Sequence, residues 1–178
     1  MEFFELIRQR QSCRAYDKDK KVSKADLEKI LAAGLLAPSS RNGQPWKYYV
    51  TSGGEAKNLV AKACQEGGAN ACLTDCPVLI TAVKENRELP PPPSVPVKRQ
   101  DFRLCDIGLS VAHIILAAKE LGLDTLIVGF LNDKKIIEAL ELDGGADIAL
   151  VLAVGYAQKG YELRPKNRKA FSDCVVFK

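Results

Sequence analysis

The segment Ala37-Pro38-Ser39-Ser40-Arg41-Asn42-Gly43-Gln44-Pro45-Trp46 constrains this chain more than any other. Pro38 stops a preceding helix, because its ring removes an amide donor and clashes with the turn before it. Trp46-Lys47-Tyr48-Tyr49-Val50 then reads as a strand. Between the two lies a loop pinned by two prolines, with two hydroxyls, two amides and a guanidinium. Such a loop is rich in hydrogen-bonding groups and poor in conformational freedom, which suits holding a polar ligand in one pose. The same residues are also ordinary turn formers, so a plain helix-to-strand connection stays open on this segment alone.

A second polar loop shifts that balance. Arg8-Gln9-Arg10-Gln11-Ser12-Cys13-Arg14 ends the first expected helix. Three guanidiniums within seven residues repel one another unless an anion sits among them, and arginine forks match phosphate oxygens in pairs. Arg10, Ser12 and Arg14 alternate, so an extended backbone aims all three side chains to one side. That spacing favours a phosphate site over a solvated basic face.

Helix and strand signals place both loops on a scaffold. Residues 2–11 read as a helix. Ser23 with Asp26 three residues on resembles a capping box, and Leu27, Ile30, Leu31 and Leu35 keep helical spacing up to Pro38. Further helices are expected over 54–66, from near Asp101 to Gly122, and from Asn132 through Leu140. Strands are expected at 46–51, 78–84, 125–129 and 148–154, with a short terminal strand at Cys174-Val175-Val176-Phe177. Strands and helices alternate irregularly, which points to an α+β fold with a mixed sheet rather than a doubly wound one. At 178 residues the chain is expected to form one domain, 1–178.

Composition excludes several function classes. Hydrophobic residues make up 47% and charged residues 27%, as in globular chains. A net charge of +4 without an aromatic–basic stripe gives no reason to expect nucleic acid as a partner. No apolar run approaches the roughly 20 residues of a membrane span, and the acidic start does not resemble a signal peptide, so a cytoplasmic protein is expected. The chain has a single histidine, His113, and shows no Ser/His/Asp or Cys/His constellation, so a hydrolase would be hard to build from it. His113 sits in an apolar run and reads as a core or interface residue. Without a secretory signal, the six cysteines give no disulfide framework, and the spacing of Cys64, Cys72 and Cys76 matches no zinc or iron–sulfur pattern, so no metal is expected. Most read as small buried fillers. Two lesser readings give Cys13 a lowered thiol pKa in its basic loop and set Cys72 and Cys76 across one helical turn.

The two loops, in this order and near the N-terminus, resemble the nitroreductase family of flavin enzymes: an Arg-x-Ser-x-Arg segment, then Pro-Ser-Ser-x-Asn-x-Gln-Pro-Trp. The resemblance runs on through Asn70 and Asp75-Cys76-Pro77, through Asp106-Ile107-Gly108 opening a long helix, and through Gly155-Tyr156 and Lys166-Asn167-Arg168. It implies a central sheet flanked by helices and a homodimer in which the C-terminal strand is exchanged. It also implies FMN, with NADH or NADPH as donor and a small-molecule acceptor: a nitroaromatic, a quinone or free flavin. The flavin itself would carry the chemistry in a ping-pong cycle, so no catalytic side chain is required.

Carried over to this chain, Arg10, Ser12, Lys166 and Arg168 would hold the phosphate and ribityl chain, with Gln11 and Arg14 beside them. Pro38, Ser39, Ser40 and Asn42 would reach the partner's flavin. Asn70 would bond the pyrimidine edge, and the backbone at Val128-Gly129 would approach N5; Val128 stands where some members have Glu. Some members carry a Lys soon after the Asn70 position. Here Ala71, Cys72, Leu73 and Thr74 stand there, which removes one cation that would favour reduced flavin. The other readings are a flavin-binding carrier or sensor without nicotinamide turnover, and a Rossmann-type nucleotide module. The missing Gly-x-Gly-x-x-Gly loop weighs against the latter. Four prolines, Pro90–Pro93, impose an extended stretch that is either a rim of the site or a surface linker.

Overall fold

The computed structural model describes residues 1–86 and 101–178, so the Pro90–Pro93 stretch lies outside the described residues. In chain order the elements are α1 (Phe3–Gln9), α2 (Lys24–Leu35), β1 (Trp46–Ser52), α3 (Gly54–Ala63), β2 (Val78–Lys84), α4 (Arg103–Glu120), β3 (Asp124–Val128), α5 (Asp133–Ala139), β4 (Asp147–Gly155) and α6 (Phe171–Cys174). The two expected caps form: Ser23 Oγ accepts from Asp26 N at 3.0 Å, and Asn132 Oδ1 accepts from Lys135 N at 3.2 Å.

The strands form one sheet in the order β1-β2-β4-β3. Its three ladders are antiparallel, and a single parallel bridge, Ser12 to Thr125, adds the N-terminal segment to the outer edge of β3. The α+β class with a helix-flanked central sheet is as expected. Successive side chains on a strand face opposite ways, so β2 serves two cores. Val78 and Ile80 pack with Leu27 and Ile30 of α2 and Ile114 and Ala118 of α4. Leu79 packs with Val60 and Ala61 of α3 and Ile136 of α5. A sheet covered on both faces explains why β2 is apolar and buried along nearly its whole length.

Helices α2 and α4 approach closely at Gly34. A Cβ there would lie 2.5 Å from Ile114 Cγ1, so only glycine fits without repacking. Two hydrogen bonds seal the crossing: Tyr48 Oη donates to Ser110 Oγ at 2.6 Å, and Ser110 Oγ donates to Gly34 O at 2.7 Å. The crossing fixes where the chain leaves α2 and therefore where the 38–45 loop begins.

Two sequence expectations are corrected. α1 stops at Gln9 rather than running to residue 11, because Cys13 N donates to Thr125 O at 2.9 Å and draws the chain out along β3. The terminal strand is not formed either: Phe171–Cys174 is a single helical turn, and Val175 is extended but sits in no ladder among the described residues. Among the described residues no edge of this copy's own sheet pairs with the tail, so the expected strand has no partner within one chain.

Candidate functional site

Arg10 and Ser12 are partly buried and Arg14 is exposed, whereas Cys13 between them is fully buried. This is the alternation of a strand edge, and it sends the polar side chains out together. A second segment returns beside them. Tyr16 bridges Ala157, and Gln158 N donates to Ala15 O at 3.0 Å. A tight turn then closes with Tyr161 N donating to Gln158 O at 3.1 Å, and Gly160 takes the left-handed conformation (φ +81°) the turn requires. The chain after Tyr161 thus runs back along residues 10–14.

The pairing between these segments is made largely by side chains. The Gln11 carboxamide acts as a surrogate peptide group: Nε2 donates to Glu162 O at 3.0 Å and Oε1 accepts from Arg164 N at 3.1 Å. Arg164 Nη2 donates to Ser12 O at 2.6 Å, and Lys166 Nζ donates to Arg10 O. A cleft of about 280 Å³ opens between the segments, lined by Arg10, Gln11, Ser12, Arg14 and residues 164–168. Five of those residues are cationic: Arg10, Arg14, Arg164, Lys166 and Arg168. None is acidic. Among the described residues none of the five forms an ion pair with a carboxylate. The Lys166 ammonium is pushed below its ordinary pKa, first by desolvation and then by the charges of Arg10 and Arg168. Like charges gathered without counter-charges repel one another, and an anion placed among them would relieve that repulsion.

The expected site residues therefore divide. Arg10, Gln11, Ser12, Arg14, Lys166 and Arg168 come together, although the Gln11 amide is spent on the tail backbone. Pro38, Ser39, Ser40 and Asn42 lie elsewhere, just before β1, on the far edge of the sheet from β3. Ser40 N donates to the buried Asp106 carboxylate at 3.0 Å, which ties this loop to the first turn of α4. Arg41, Asn42 and Gln44 all have left-handed φ, between 46° and 55°. Non-glycine residues adopt that region at a cost of roughly 1 kcal/mol or more each, and such strain clusters at functional loops. Asn70 is also left-handed, and its Nδ2 donates to Cys64 O at 3.0 Å. Val128 is buried in the core at the end of β3, and Gly129 after it is exposed, with open space around it.

Tyr161 and Arg164 were missed from the sequence. Arg164 was legible, since Arg164, Lys166 and Arg168 repeat the every-second-residue pattern of Arg10, Ser12 and Arg14. Tyr161 had no signal beyond the adjacent Gly160. The thiol readings are corrected. Cys13 faces inward and donates to Ala15 O, and burial pushes its pKa up to about 11 rather than down. Residues 71–73 form a 3-10 turn that ends before Cys76, so no helical turn sets Cys72 against Cys76; burial raises both thiols, Cys76 to about 12. His113 is exposed on α4, not in the core, with Nδ1 2.8 Å from Leu109 O. No helix among the described residues is long and apolar enough to cross a membrane.

Fold and cleft together define an α+β protein whose antiparallel sheet carries a cluster of five cations on one outer edge. The sequence model of the nitroreductase family matches residues 7–71 and 66–156, and the chain belongs to that family. It is 30% identical over 178 residues to an Archaeoglobus fulgidus protein provisionally named NADH dehydrogenase/NAD(P)H nitroreductase, covering 97% of this chain and 91% of the other. A nitroreductase family protein of Clostridium difficile superposes with a TM-score of 0.83 at 28% identity, over 100% of this chain and 99% of that one. A provisionally named nitroreductase of Exiguobacterium sibiricum, solved in complex with FMN, superposes with a TM-score of 0.82 over 100% and 98% of the two chains. At 24% identity that last likeness speaks for the fold.

Proposed function

We propose that this chain is an FMN-dependent oxidoreductase that takes hydride from NADH or NADPH and delivers electrons by a ping-pong cycle to a nitroaromatic, quinone or flavin acceptor. The observation that carries the reading is the cluster of five cations, drawn from both ends of the chain, with no carboxylate among them. A phosphate monoester is the biological anion that such forked donors fit. The cleft is at the small end for a ligand pocket, which suits the phosphate end of a nucleotide and leaves the ring to another surface. The family and the FMN bound by the Exiguobacterium protein name the nucleotide.

In this reading Arg10, Ser12, Arg14, Lys166 and Arg168 hold the phosphate and orient the ribityl chain. Asn70 Oδ1 remains free to accept from a ring N–H, and the exposed backbone at Gly129 can approach the ring edge. FMN, when bound, supplies the hydride and electron chemistry. Ser39, Ser40 and Asn42 belong to the site of a second copy. Within one chain they lie before β1, three strand spacings, about 14 Å, from β3, and the arm that lines the cleft is one position further out. A homodimer joins the two loops, and the outward face of α4, where Leu104 and Leu109 stand exposed, offers apolar surface for it. Localisation to the cytoplasm follows from the need for reduced nicotinamide.

The direct test is spectroscopic. Purified protein is expected to be yellow and to bleach on anaerobic addition of NADH or NADPH. Yellow protein that does not bleach would favour a carrier or sensor, and colourless protein that cannot be loaded with FMN would defeat both. Affinity should also depend on pH. Phosphate gains its second charge near pH 6, so FMN binding strengthens as pH rises through that range. Bringing an anion to Lys166 favours its charged form. Affinity therefore declines as pH rises through the lowered Lys166 pKa, below the ordinary lysine value of 10.5, and levels off above the pKa of the complex. Fluorescence titrations of apoprotein across pH 5–11 check both limbs, and Lys166→Arg should flatten the alkaline one.

A further inference from the structure

The geometry points to Tyr161 as a positioning residue that sets how tightly this cleft grips a phosphate, without touching the phosphate itself; the inference rests on the FMN reading above. The Tyr161 hydroxyl accepts from Arg14 N at 3.0 Å and donates to Ser12 O at 3.2 Å. Those backbone groups flank Cys13, whose own N–H is committed to Thr125 O on β3. The 12–14 segment is therefore gripped from both sides: by β3 on one and by one phenol on the other.

The phenol is well placed to act as a fixed strut. Its ring packs against the cluster that includes Cys13, Cys76 and Leu126. The turn at Gly160 fixes its backbone. Its single hydroxyl satisfies one donor and one acceptor of the arm that carries Ser12 and Arg14. The arm is joined to β3 by one bridge and anchored further by the buried Cys13 side chain, the Gln11 carboxamide and Lys166 on Arg10 O, but among these holds only the phenol bonds the backbone on both sides of Cys13. Arg164 contributes a second hold on Ser12 O, but through a long exposed side chain that is costly to order. The aromatic ring is stiff, and its hydroxyl fixes where the Ser12 hydroxyl and the flanking guanidiniums converge. Preorganising several charged donors on one anion raises affinity by lowering the ordering cost of binding. The effect should fall on the phosphate, because the two residues that the hydroxyl holds line the cationic cleft.

The test is Tyr161→Phe in the full chain, a change that keeps the ring packing and removes only the hydroxyl. Apoprotein is titrated with FMN and with riboflavin, which differ by the phosphate alone, at one fixed ionic strength, and thermal unfolding is followed in parallel. The expected result is a loss of about tenfold in FMN affinity, the size expected when two hydrogen bonds of ordinary net worth are removed from a binding arm. Riboflavin affinity should stay within about twofold of wild type, so the FMN-to-riboflavin ratio falls. A role in general stability would lower both affinities together and leave the ratio unchanged, and that result overturns the proposal. FMN binding unaltered in the variant overturns it equally. Wild-type protein that fails to distinguish FMN from riboflavin shows instead that the cleft is not the phosphate site, a failure visible before any variant is made.

Discussion

Replacing Arg10 and Arg168 together by alanine is expected to yield protein that purifies almost without flavin. The two residues come from opposite ends of the chain and meet only in the folded cleft. Hydrogen bonds to charged groups are worth about 1.5–3 kcal/mol each, so losing two of them costs at least ~3 kcal/mol, a hundredfold or more in affinity. Both guanidiniums are solvent-accessible, which places the effect nearer the lower figure at physiological salt and makes it larger at low ionic strength. The fold should be indifferent, since neither residue forms an ion pair among the described residues, and relief of cation–cation repulsion beside Lys166 can even stabilise it. Flavin absorbance per chain and titration of the apoprotein measure the loss. A double variant that retains its cofactor as the wild type does would refute the assignment of the cleft.

A chain ended after Ala170 is expected to lose dimerisation while keeping its secondary structure. Residues 171–178 are exposed throughout, and α6 buries nothing. Phe171, Val176 and Phe177 are 68%, 75% and 86% exposed, and the two phenylalanine rings lie 6.2 Å apart. Burying an apolar side chain of this size is worth about 1.5–3 kcal/mol, so docking Phe171, Val176 and Phe177 on a partner contributes several kcal/mol. That is enough to decide between monomer and dimer. Because the tail supports nothing in its own subunit, its removal should leave circular dichroism unchanged and shift the molar mass in solution to that of one chain. Flavin retention should fall with it, even though the cationic cleft is intact, because the 38–42 loop then has no second copy to complete. A truncated protein that remains dimeric and fully flavinated would show that the tail is not the exchanged element.

Much of the scaffold could be read from local chemistry. Ser23 and Asn132 cap where their side chains can reach backbone N–H groups three residues on, a rule that needs no tertiary context. The four internal strands were legible because each is a short apolar run between turn formers. Errors fell where local preference met a distant partner. α1 ends early because β3 captures residue 13. Cys174–Phe177 reads as a strand by composition, yet strand formation needs an edge, and an edge is a property of the assembled sheet. Cys13 was open to being a reactive thiol from its cationic neighbours, but the pleat that turns Arg10, Ser12 and Arg14 outward turns Cys13 into the core.

The sequence by itself determined the helix boundaries set by caps and prolines, the apolar faces, and two polar loops of unusual density with their alternating cations, because all of these are decided within a few residues. Only the tertiary structure decided that residues 10–14 and 161–168 face each other across a cleft, that Tyr161 and Arg164 lace them, and that the 38–45 loop lies on the far edge of the sheet. Those outcomes depend on which strand lies next to which. The pairing is settled by burial of both sheet faces over the whole chain, and no local window of residues carries it.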